Sequence, residues 1–166
     1  MDKWDSRFME MAHVIAGWTG CYRPGRSIGC VIVKDKRIMT TGYNGAPRGR
    51  SNCIDLGYCI RERLGIPAGE RYELCRSVHA EMNAIISAAR SECIGGTIYL
   101  AGRDVATGEL IPDLLPCPMC RRMIINAGLS KIVIRRTPST YDILNVQDWV
   151  FHDDSVIDPS ESGEQA

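Results

Sequence analysis

The chain has 166 residues, which is enough for one domain with a buried core and too few for two. Its 20 Lys and Arg residues balance its 20 Asp and Glu residues, so the formal net charge is +0. This balance argues against a dedicated binder of nucleic-acid polymers, although one or two well-placed donors suffice for an anion the size of a nucleotide. No apolar run approaches the length of a membrane span, and no basic flank followed by an apolar run marks a leader. We therefore expect a cytoplasmic protein that does not bind membranes.

The first half of the chain predicts a helix, a hairpin and a long loop. Apolar residues spaced three and four apart near the N-terminus, in WDSRFMEMAHVIAGW, predict an amphipathic helix. The run SIGCVIVKDKRIMTTGYNG contains two β-rich segments joined at residues 34–36, which predicts a hairpin that enters a sheet. Residues 44–77 are irregular and rich in Gly, Pro, Arg and Cys. A loop of this length inside a compact domain is either functional or held in place by something.

The second half predicts helices that alternate with strands. The segment HAEMNAIISAAR predicts one helix, and PMCRRMIINAGLS predicts another that begins with proline in its first turn and ends at Gly128. The segments TIYLAG and KIVIRR predict strands. After a hairpin, this order predicts a mixed α/β sheet with helices packed over it. We expect one domain at residues 1–153 and a disordered acidic tail at residues 154–166.

Two short motifs place metal-binding residue types at the predicted helix starts. His79 and Glu81 begin one helix, and Cys117 and Cys120 begin the other. Zinc takes nitrogen and sulfur ligands in tetrahedral geometry, and a catalytic zinc keeps one position for water. His79, Cys117 and Cys120 therefore predict a zinc site with an open fourth position. Glu81 lies two residues from His79, where it can reach the bound water, and we predict that it is the catalytic proton shuttle rather than a ligand.

The alternative is a closed structural zinc site. Against it, only three metal ligands of the usual kind are present, and the remaining residue is a carboxylate. The combined pattern H-x-E…P-C-x-x-C is typical of zinc deaminases.

With these motifs the chain resembles the cytidine and deoxycytidylate deaminase family, and within it the dCMP deaminases. The matching segments cover most of residues 20–136 in the family's order, and they are PGRSIGCVIV, GYNG, SVHAEMNAI, TIYL, PCPMCRRMIINAG and KIVI. The resemblance implies a cytidine deaminase-like three-layer αβα sandwich with a five-stranded mixed sheet. It also implies hydrolysis of dCMP to dUMP and ammonia, in which an activated water attacks C4 while Glu81 protonates N3 and then the departing amino group. By the same resemblance, the Ala80 N–H and the Pro116 carbonyl hold the base edge.

The resemblance also assigns residues to the sugar and the phosphate. Asn44 in GYNG matches an asparagine that contacts the sugar, whereas the alternative is a turn residue beside a glycine. Arg26 and Ser27 lie where dCMP deaminases contact the phosphate, whereas the alternative for a lone arginine is a solvated surface position. Tyr141 matches a tyrosine near the phosphate.

Four of the eight cysteines resemble the ligands of a second zinc in bacterial and phage-type dCMP deaminases. They are Cys21, Cys53, Cys59 and Cys75. Four thiolates would close a tetrahedral structural site and hold the long loop against the sheet. The alternative is a set of scattered core cysteines, because free cysteine is often a small buried hydrophobe.

The segment at residues 101–115 is longer than the family's usual connection, and we expect it at the mouth of the pocket. It leaves open a different base or phosphate state, such as dCTP, cytidine, guanine or tRNA adenosine, although the neutral charge argues against tRNA. A non-catalytic, zinc-stabilised competence-type binding protein is a further alternative, and Glu81 argues against it. The resemblance implies a homo-oligomer, and it leaves open regulation by dCTP and dTTP with Mg²⁺.

Overall fold

The computed structural model describes residues 2–22, 25–67 and 70–152, so the acidic tail predicted at residues 154–166 lies outside the described residues. The helices are α1 (Lys3–Ala16), α2 (Cys53–Leu56), α3 (Ile60–Arg63), α4 (Ala80–Ile86), α5 (Arg90–Cys93), α6 (Pro118–Ala127) and α7 (Val146–Phe151), with a 3₁₀ turn at Tyr72–Leu74. The strands are β1 (Arg26–Lys34), β2 (Arg37–Tyr43), β3 (Thr97–Asp104), β4 (Lys131–Arg135) and β5 (Tyr141–Asn145). None of the described helices is long and apolar enough to cross a membrane.

The five strands form one mixed sheet in the order β2-β1-β3-β4-β5. β1 pairs antiparallel with β2 and with β3, β3 pairs parallel with β4, and β4 pairs antiparallel with β5. The turn between β1 and β2 has Asp35 and Lys36 at positive φ, which is the backbone of tight hairpin turns whose twist matches that of the strands. The structure therefore confirms the predicted hairpin and the five-stranded mixed sheet.

Helices cover both faces of this sheet because successive side chains of a strand point to opposite faces. Val31 of β1 packs in a cluster beneath α1, together with Phe8 and Ile15 from the buried side of that helix. Ile32, the next residue, belongs to the core on the other face, together with Ile124 of α6. The arrangement is the three-layer αβα sandwich that the resemblance implies.

The start of α4 lies directly against β2, and Gly42 permits this close approach. A Cβ atom at position 42 would overlap the carbonyl oxygen of Ala80 and lie 2.6 Å from the nitrogen of Ala84. A larger residue would therefore push the beginning of α4 away from the sheet. The candidate site depends on the position of this helix start.

The structure differs from the sequence pattern in two places. The helix predicted from HAEMNAIISAAR ends at Ile86. A separate helix, α5, follows at Arg90, and the N–H of its N-cap residue Ala89 donates to the Glu92 carboxylate at 2.7 Å. The pattern also does not predict β5 and α7. β5 is an edge strand in which no residue is fully buried, so it lacks the alternation of buried and exposed residues that identifies a strand from sequence.

Candidate active site

Two helix starts carry the side chains that were predicted to bind a metal. His79 is the N-cap residue of α4, where its carbonyl oxygen accepts the N–H of Asn83 at 3.0 Å. Cys117 is the N-cap residue of α6, and Pro118 occupies the first turn, where its missing N–H is not needed. Cys120 lies three residues after Cys117 and is fully buried. Residues three apart at a helix start share one side of the helix, so the two thiols face the same point.

The His79 ring and the two thiols form a compact donor set. The Nδ1 atom of His79 lies 3.4 Å from the Sγ atom of Cys117 and 3.4 Å from the Sγ atom of Cys120. All three donor atoms lie within 4.8 Å of one another. Zinc–nitrogen and zinc–sulfur bonds of about 2.0 and 2.3 Å at a tetrahedral angle require a nitrogen–sulfur separation of about 3.5 Å. The donor set therefore fits a zinc ion with three protein ligands and a fourth position for water.

These three donors share protons through their mutual contacts. A hydrogen bond from the Cys120 thiol and a further one from the His79 ring lower the pKa of Cys117 to about 4. The hydrogen bond to Cys117, followed by burial, raises the pKa of Cys120, and the hydrogen bond to Cys117 also raises the pKa of His79. These contacts favour the thiolate form of Cys117, which is the form that binds metals. Binding of a divalent cation would displace the remaining protons.

The carboxyl group of Glu81 is adjacent to this donor set without belonging to it. Only 5% of Glu81 is exposed, and burial raises the pKa of its carboxyl group against the opposing effects of a backbone hydrogen bond and of His79. The compact donor set contains His79, Cys117 and Cys120 and does not include Glu81. A buried carboxyl group with a raised pKa suits the transfer of protons near neutral pH.

A cavity of about 320 Å³ opens at the donor set, and its wall includes His79, Glu81 and Cys117. Ala80, predicted to hold the base edge, also lines this cavity. Pro116, predicted to act with Ala80, is fully buried, and its carbonyl oxygen accepts the Nε–H of Arg121 at 3.1 Å. A carbonyl oxygen has two lone pairs, so the Pro116 carbonyl retains one for a second donor.

Asn44 lines the cavity, but most of its hydrogen-bonding capacity is used within the protein. Its Oδ1 atom accepts the N–H of Ile28 at 2.9 Å and the hydroxyl of Thr19 at 2.8 Å. Its Nδ2 atom donates to the carbonyl oxygen of Arg26 at 2.7 Å. Both lone pairs of Oδ1 are therefore occupied, and one N–H of the amide is left. Asn44 can offer a ligand one donor and no acceptor.

The three residues predicted to contact the phosphate lie on different faces of the sheet. Arg26 is exposed and lines the cavity. Ser27 is buried on the opposite face, where its hydroxyl donates to the carbonyl oxygen of Ala16 in α1. Tyr141 lies in the edge strand β5 and packs against the cluster beneath α1. Because neighbouring residues of a strand face opposite sides of the sheet, Arg26 reaches the cavity and Ser27 does not.

The four cysteines predicted to bind a second zinc lie in one region. Cys21, Cys59 and Cys75 line the cavity, and Cys53 lines a neighbouring one with Cys75. Burial and then the charges of the other three cysteines raise the pKa of Cys21 to about 11. Within the described ranges, however, no three of these sulfur atoms lie within 4.8 Å of one another. The structure places the four thiols in electrostatic range without forming a compact donor set.

The end of the 101–115 segment forms part of the cavity wall, through Leu114 and Leu115. Arg136 fixes it there, because its Nη1 atom donates to the carbonyl oxygens of Pro112 at 2.9 Å and Leu114 at 2.7 Å. The same guanidinium group donates from Nε to the Asp142 carboxylate at 2.7 Å. The sequence pattern did not single out Arg136, because its role depends on the return of β4 beside this loop.

The family of the cytidine and deoxycytidylate deaminase zinc-binding region matches residues 2–136. The chain belongs to this family. Zinc binding is therefore a property of the family, and the His79, Cys117 and Cys120 donor set is the candidate zinc site.

Individual relatives agree with the family assignment, and a solved structure shares the fold. The deoxycytidylate deaminase of Schizosaccharomyces pombe is 37% identical over 130 residues, which cover 78% of this chain and 36% of that protein. The deoxycytidylate deaminase of Mycobacterium phage D29 is 35% identical over 135 residues, which cover 78% of this chain and 92% of that protein. The structure of dCMP deaminase from the cyanophage S-TIM5 in complex with dCMP and dUMP superposes with a TM-score of 0.54 at 23% identity, covering 81% of this chain and 83% of that chain. This superposition shows a shared fold.

Proposed function

We propose that the protein hydrolyses a cytosine deoxynucleotide, converting dCMP to dUMP with release of ammonia. The buried carboxyl group of Glu81 beside a three-donor metal site carries this proposal, because that arrangement suits a catalytic rather than a structural zinc. The activity in the names of the fungal and phage relatives supports dCMP as the substrate. The chain spans 36% of the fungal relative and 92% of the phage relative, so the proposal concerns the activity of this domain.

His79, Cys117 and Cys120 would hold a zinc ion, which when bound would lower the pKa of a water molecule toward about 7 and so activate it for attack. Glu81 accepts the proton that this water loses as its oxygen bonds to C4 of cytosine. Glu81 passes this proton to N3. It then takes the second proton from the hydroxyl group formed at C4 and passes it to the C4 amino group, which leaves as ammonia as the C4–N bond breaks and the C4 carbonyl forms. One water is consumed, one ammonia is released, and the Glu81 carboxylate is regenerated. Burial supports this role, because a raised pKa makes the Glu81 carboxylate a stronger base.

The cavity wall supports a set of substrate contacts on both sides of the base. We assign the base edge to the Ala80 N–H as donor and to the free lone pair of the Pro116 carbonyl as acceptor. The remaining N–H of Asn44 would donate to a sugar hydroxyl, since its Oδ1 atom is fully used. Arg26 is the proposed phosphate contact. Ser27 and Tyr141 are not included, because their side chains lie on the α1 side of the sheet.

A panel assay tests this function and its alternatives together. We expect ammonia release from dCMP to exceed that from cytidine, because Arg26 contributes to binding only when a phosphate is present. The assay compares initial rates with dCMP, dCTP, CMP, cytidine, guanine and adenosine. Absence of turnover with all six substrates would favour the non-catalytic binding protein. Faster turnover of cytidine than of dCMP would refute the phosphate assignment, and the Arg26→Met variant should lower the dCMP rate without changing the cytidine rate.

We also propose a structural zinc ion bound by Cys21, Cys53, Cys59 and Cys75. The mutual electrostatic influence of these thiols supports it, because four cysteines in one region of a reducing environment are typical of a metal site. The side chains would have to rotate to bring the sulfur atoms together around an ion. Metal analysis of the purified chain should then give about two zinc ions per chain.

A matched pair of cysteine variants tests this second site. Cys53→Ser should lose about one zinc ion per chain and retain the other, because serine is a poor zinc ligand. Cys93 is also buried but belongs to α5 and to neither donor set, so Cys93→Ser should retain both ions. A wild-type content of about one zinc ion per chain would refute the second site.

Three further proposals rest on the family resemblance. They are a homo-oligomeric assembly, a cytoplasmic location, and Mg²⁺ bound together with a regulatory nucleotide. The domain limits at residues 1–153, followed by an acidic tail, are proposed from composition.

A further inference from the structure

The ring of His79 is in contact with Tyr72, a residue that the reaction above does not use. The two ring centroids lie 5.2 Å apart and the ring planes make an angle of 89°, which is an edge-to-face contact. Aromatic pairs in this geometry stabilise one another beyond the surface that they bury. Tyr72 belongs to the 3₁₀ turn at Tyr72–Leu74 and lines the cavity. It therefore connects the long loop to a proposed metal ligand.

This contact matters because hydrogen bonds restrain only one edge of the His79 ring. In the described part of the chain, the hydrogen-bond partners of the ring are the thiols of Cys117 and Cys120, both at Nδ1. Histidine ligands of metals are usually oriented by a hydrogen bond from the protein to the other ring nitrogen. In this protein the aromatic contact with Tyr72 restrains the His79 ring, which is the function that such a hydrogen bond has in other metal sites.

Arg61 in turn restrains Tyr72. The guanidinium carbon of Arg61 lies 4.6 Å from the centroid of the Tyr72 ring, within the range of a cation–π contact. Its Nη2 atom donates to the carbonyl oxygens of Pro67 at 2.6 Å and of Glu70 at 2.7 Å. These hydrogen bonds tie the guanidinium group to the backbone on the far side of the loop. Tyr72 is therefore held by a side chain that is itself fixed.

We propose that Tyr72 is a positioning residue for His79, and that Arg61 holds Tyr72 in place. Through this stack the long loop orients one ligand of the zinc site and preorganises the donor set. The inference rests on the proposed function, because it takes His79 as a zinc ligand. Beyond that function, it states that zinc affinity at His79 depends on an aromatic ring at position 72.

The small number of histidines permits a direct measurement of this dependence. The chain has 3 histidines, so ¹⁵N-histidine labelling gives resolvable ring signals, and His79 is assigned as the signal that is missing from the His79→Gln variant. Zinc occupancy of this site is read from the His79 Nδ1 signal in a chelator buffer, independently of any site made of cysteines alone. We expect Tyr72→Leu to weaken zinc binding roughly two- to thirteenfold, because an aromatic pair contributes about 0.5–1.5 kcal/mol. Tyr72→Phe keeps the ring and should bind zinc as the wild type does.

The same loop provides a matched control pair. The guanidinium carbon of Arg63 lies 3.6 Å from the centroid of the Tyr58 ring. This second cation–π pair has the same chemistry as the pair of Arg61 and Tyr72 and belongs to the same loop. Tyr58 lines a different cavity from the one that contains His79. Tyr58→Leu and Arg63→Met should therefore leave zinc affinity at His79 unchanged, whereas Arg61→Met should weaken it. Arg61→Met also provides the test if Tyr72→Leu does not fold.

The outcomes separate this inference from the function on which it rests. Equal zinc affinity of the Tyr72→Leu and Tyr58→Leu variants, with Arg61→Met also at the wild-type value, would overturn the positioning role alone. A His79 signal in the wild type that does not respond to zinc would overturn the metal site and the inference together. Weaker binding in Tyr72→Leu and Arg61→Met, with wild-type affinity in Tyr72→Phe and both control variants, would establish it.

Discussion

Replacement of Glu81 by glutamine is expected to lower kcat for dCMP by about 10²–10⁴-fold, the usual contribution of a general acid–base group. Glutamine has nearly the same shape but cannot accept and return a proton. Because Glu81 is not part of the compact donor set, the variant should keep its zinc. Burial raises the pKa of the Glu81 carboxyl group, so the neutral amide should also be tolerated without loss of stability. The measurements are ammonia release, zinc content and thermal unfolding of the same preparation.

Glu62 provides the matched control for this variant. It lines the same cavity and is exposed, so Glu62→Gln removes a carboxylate from the cavity wall without touching the donor set. Its rate should stay within about twofold of the wild type, since Glu62 has no role in the proposed reaction. A Glu81→Gln variant that retains more than about a tenth of the wild-type kcat would contradict the mechanism.

The donor set was the part of the site that could best be predicted from the sequence, because metal chemistry restricts both residue type and spacing. Zinc requires thiolate and imidazole ligands in a small volume, and a C-x-x-C pair at a helix start provides two of them in one turn. The structure brings Cys117, Cys120 and His79 together within 4.8 Å, as that argument predicts. The hairpin, α1 and α6 could be predicted for a similar reason, since a buried face makes apolar residues recur with a period of two or 3.6 residues.

Elements that depend on one local contact, or that are exposed to solvent, could not be predicted in this way. The end of α4 is followed by the N-cap of α5, where the Ala89 N–H donates to the Glu92 carboxylate. The strand β5 has no buried face. The resemblance alone assigned Arg26 and Ser27 together to the phosphate. Adjacent residues of a strand face opposite sides of a sheet, so period-two alternation already conflicts with a shared role for these two side chains.

The contact between Tyr72 and His79 shows a different limit. The two residues are seven positions apart in a segment without periodicity, and their approach depends on Arg61 binding two carbonyl groups across the loop. Arginine is frequent in this loop, and no residue type or spacing distinguishes Arg61 from Arg63. Tertiary structure decides which of the two cation–π pairs reaches the metal site.

Replacement of Cys117 by serine is expected to remove zinc from the His79 site and to lower kcat to below about 10⁻³ of the wild-type value. The contacts that lower the pKa of Cys117 to about 4 make it the thiolate of the donor set, and a serine hydroxyl stays protonated at neutral pH. Without the ion, the pKa of the attacking water would return to its much higher value in bulk water, and the nucleophile would be lost. Metal analysis should show about one zinc ion per chain fewer than in the wild type.

Cys30 is the control that separates loss of a ligand from loss of a thiol. It is fully buried beside the start of α4, where its Sγ atom donates to the carbonyl oxygen of Ala80 at 3.2 Å. Cys30→Ser makes the same sulfur-to-oxygen change next to the site and preserves this hydrogen bond, because the serine hydroxyl is also a donor. It should keep both zinc and activity. If Cys117→Ser and Cys30→Ser retained zinc equally, Cys117 would not be a ligand, and the open three-ligand site that makes Glu81 a proton shuttle would have to be abandoned.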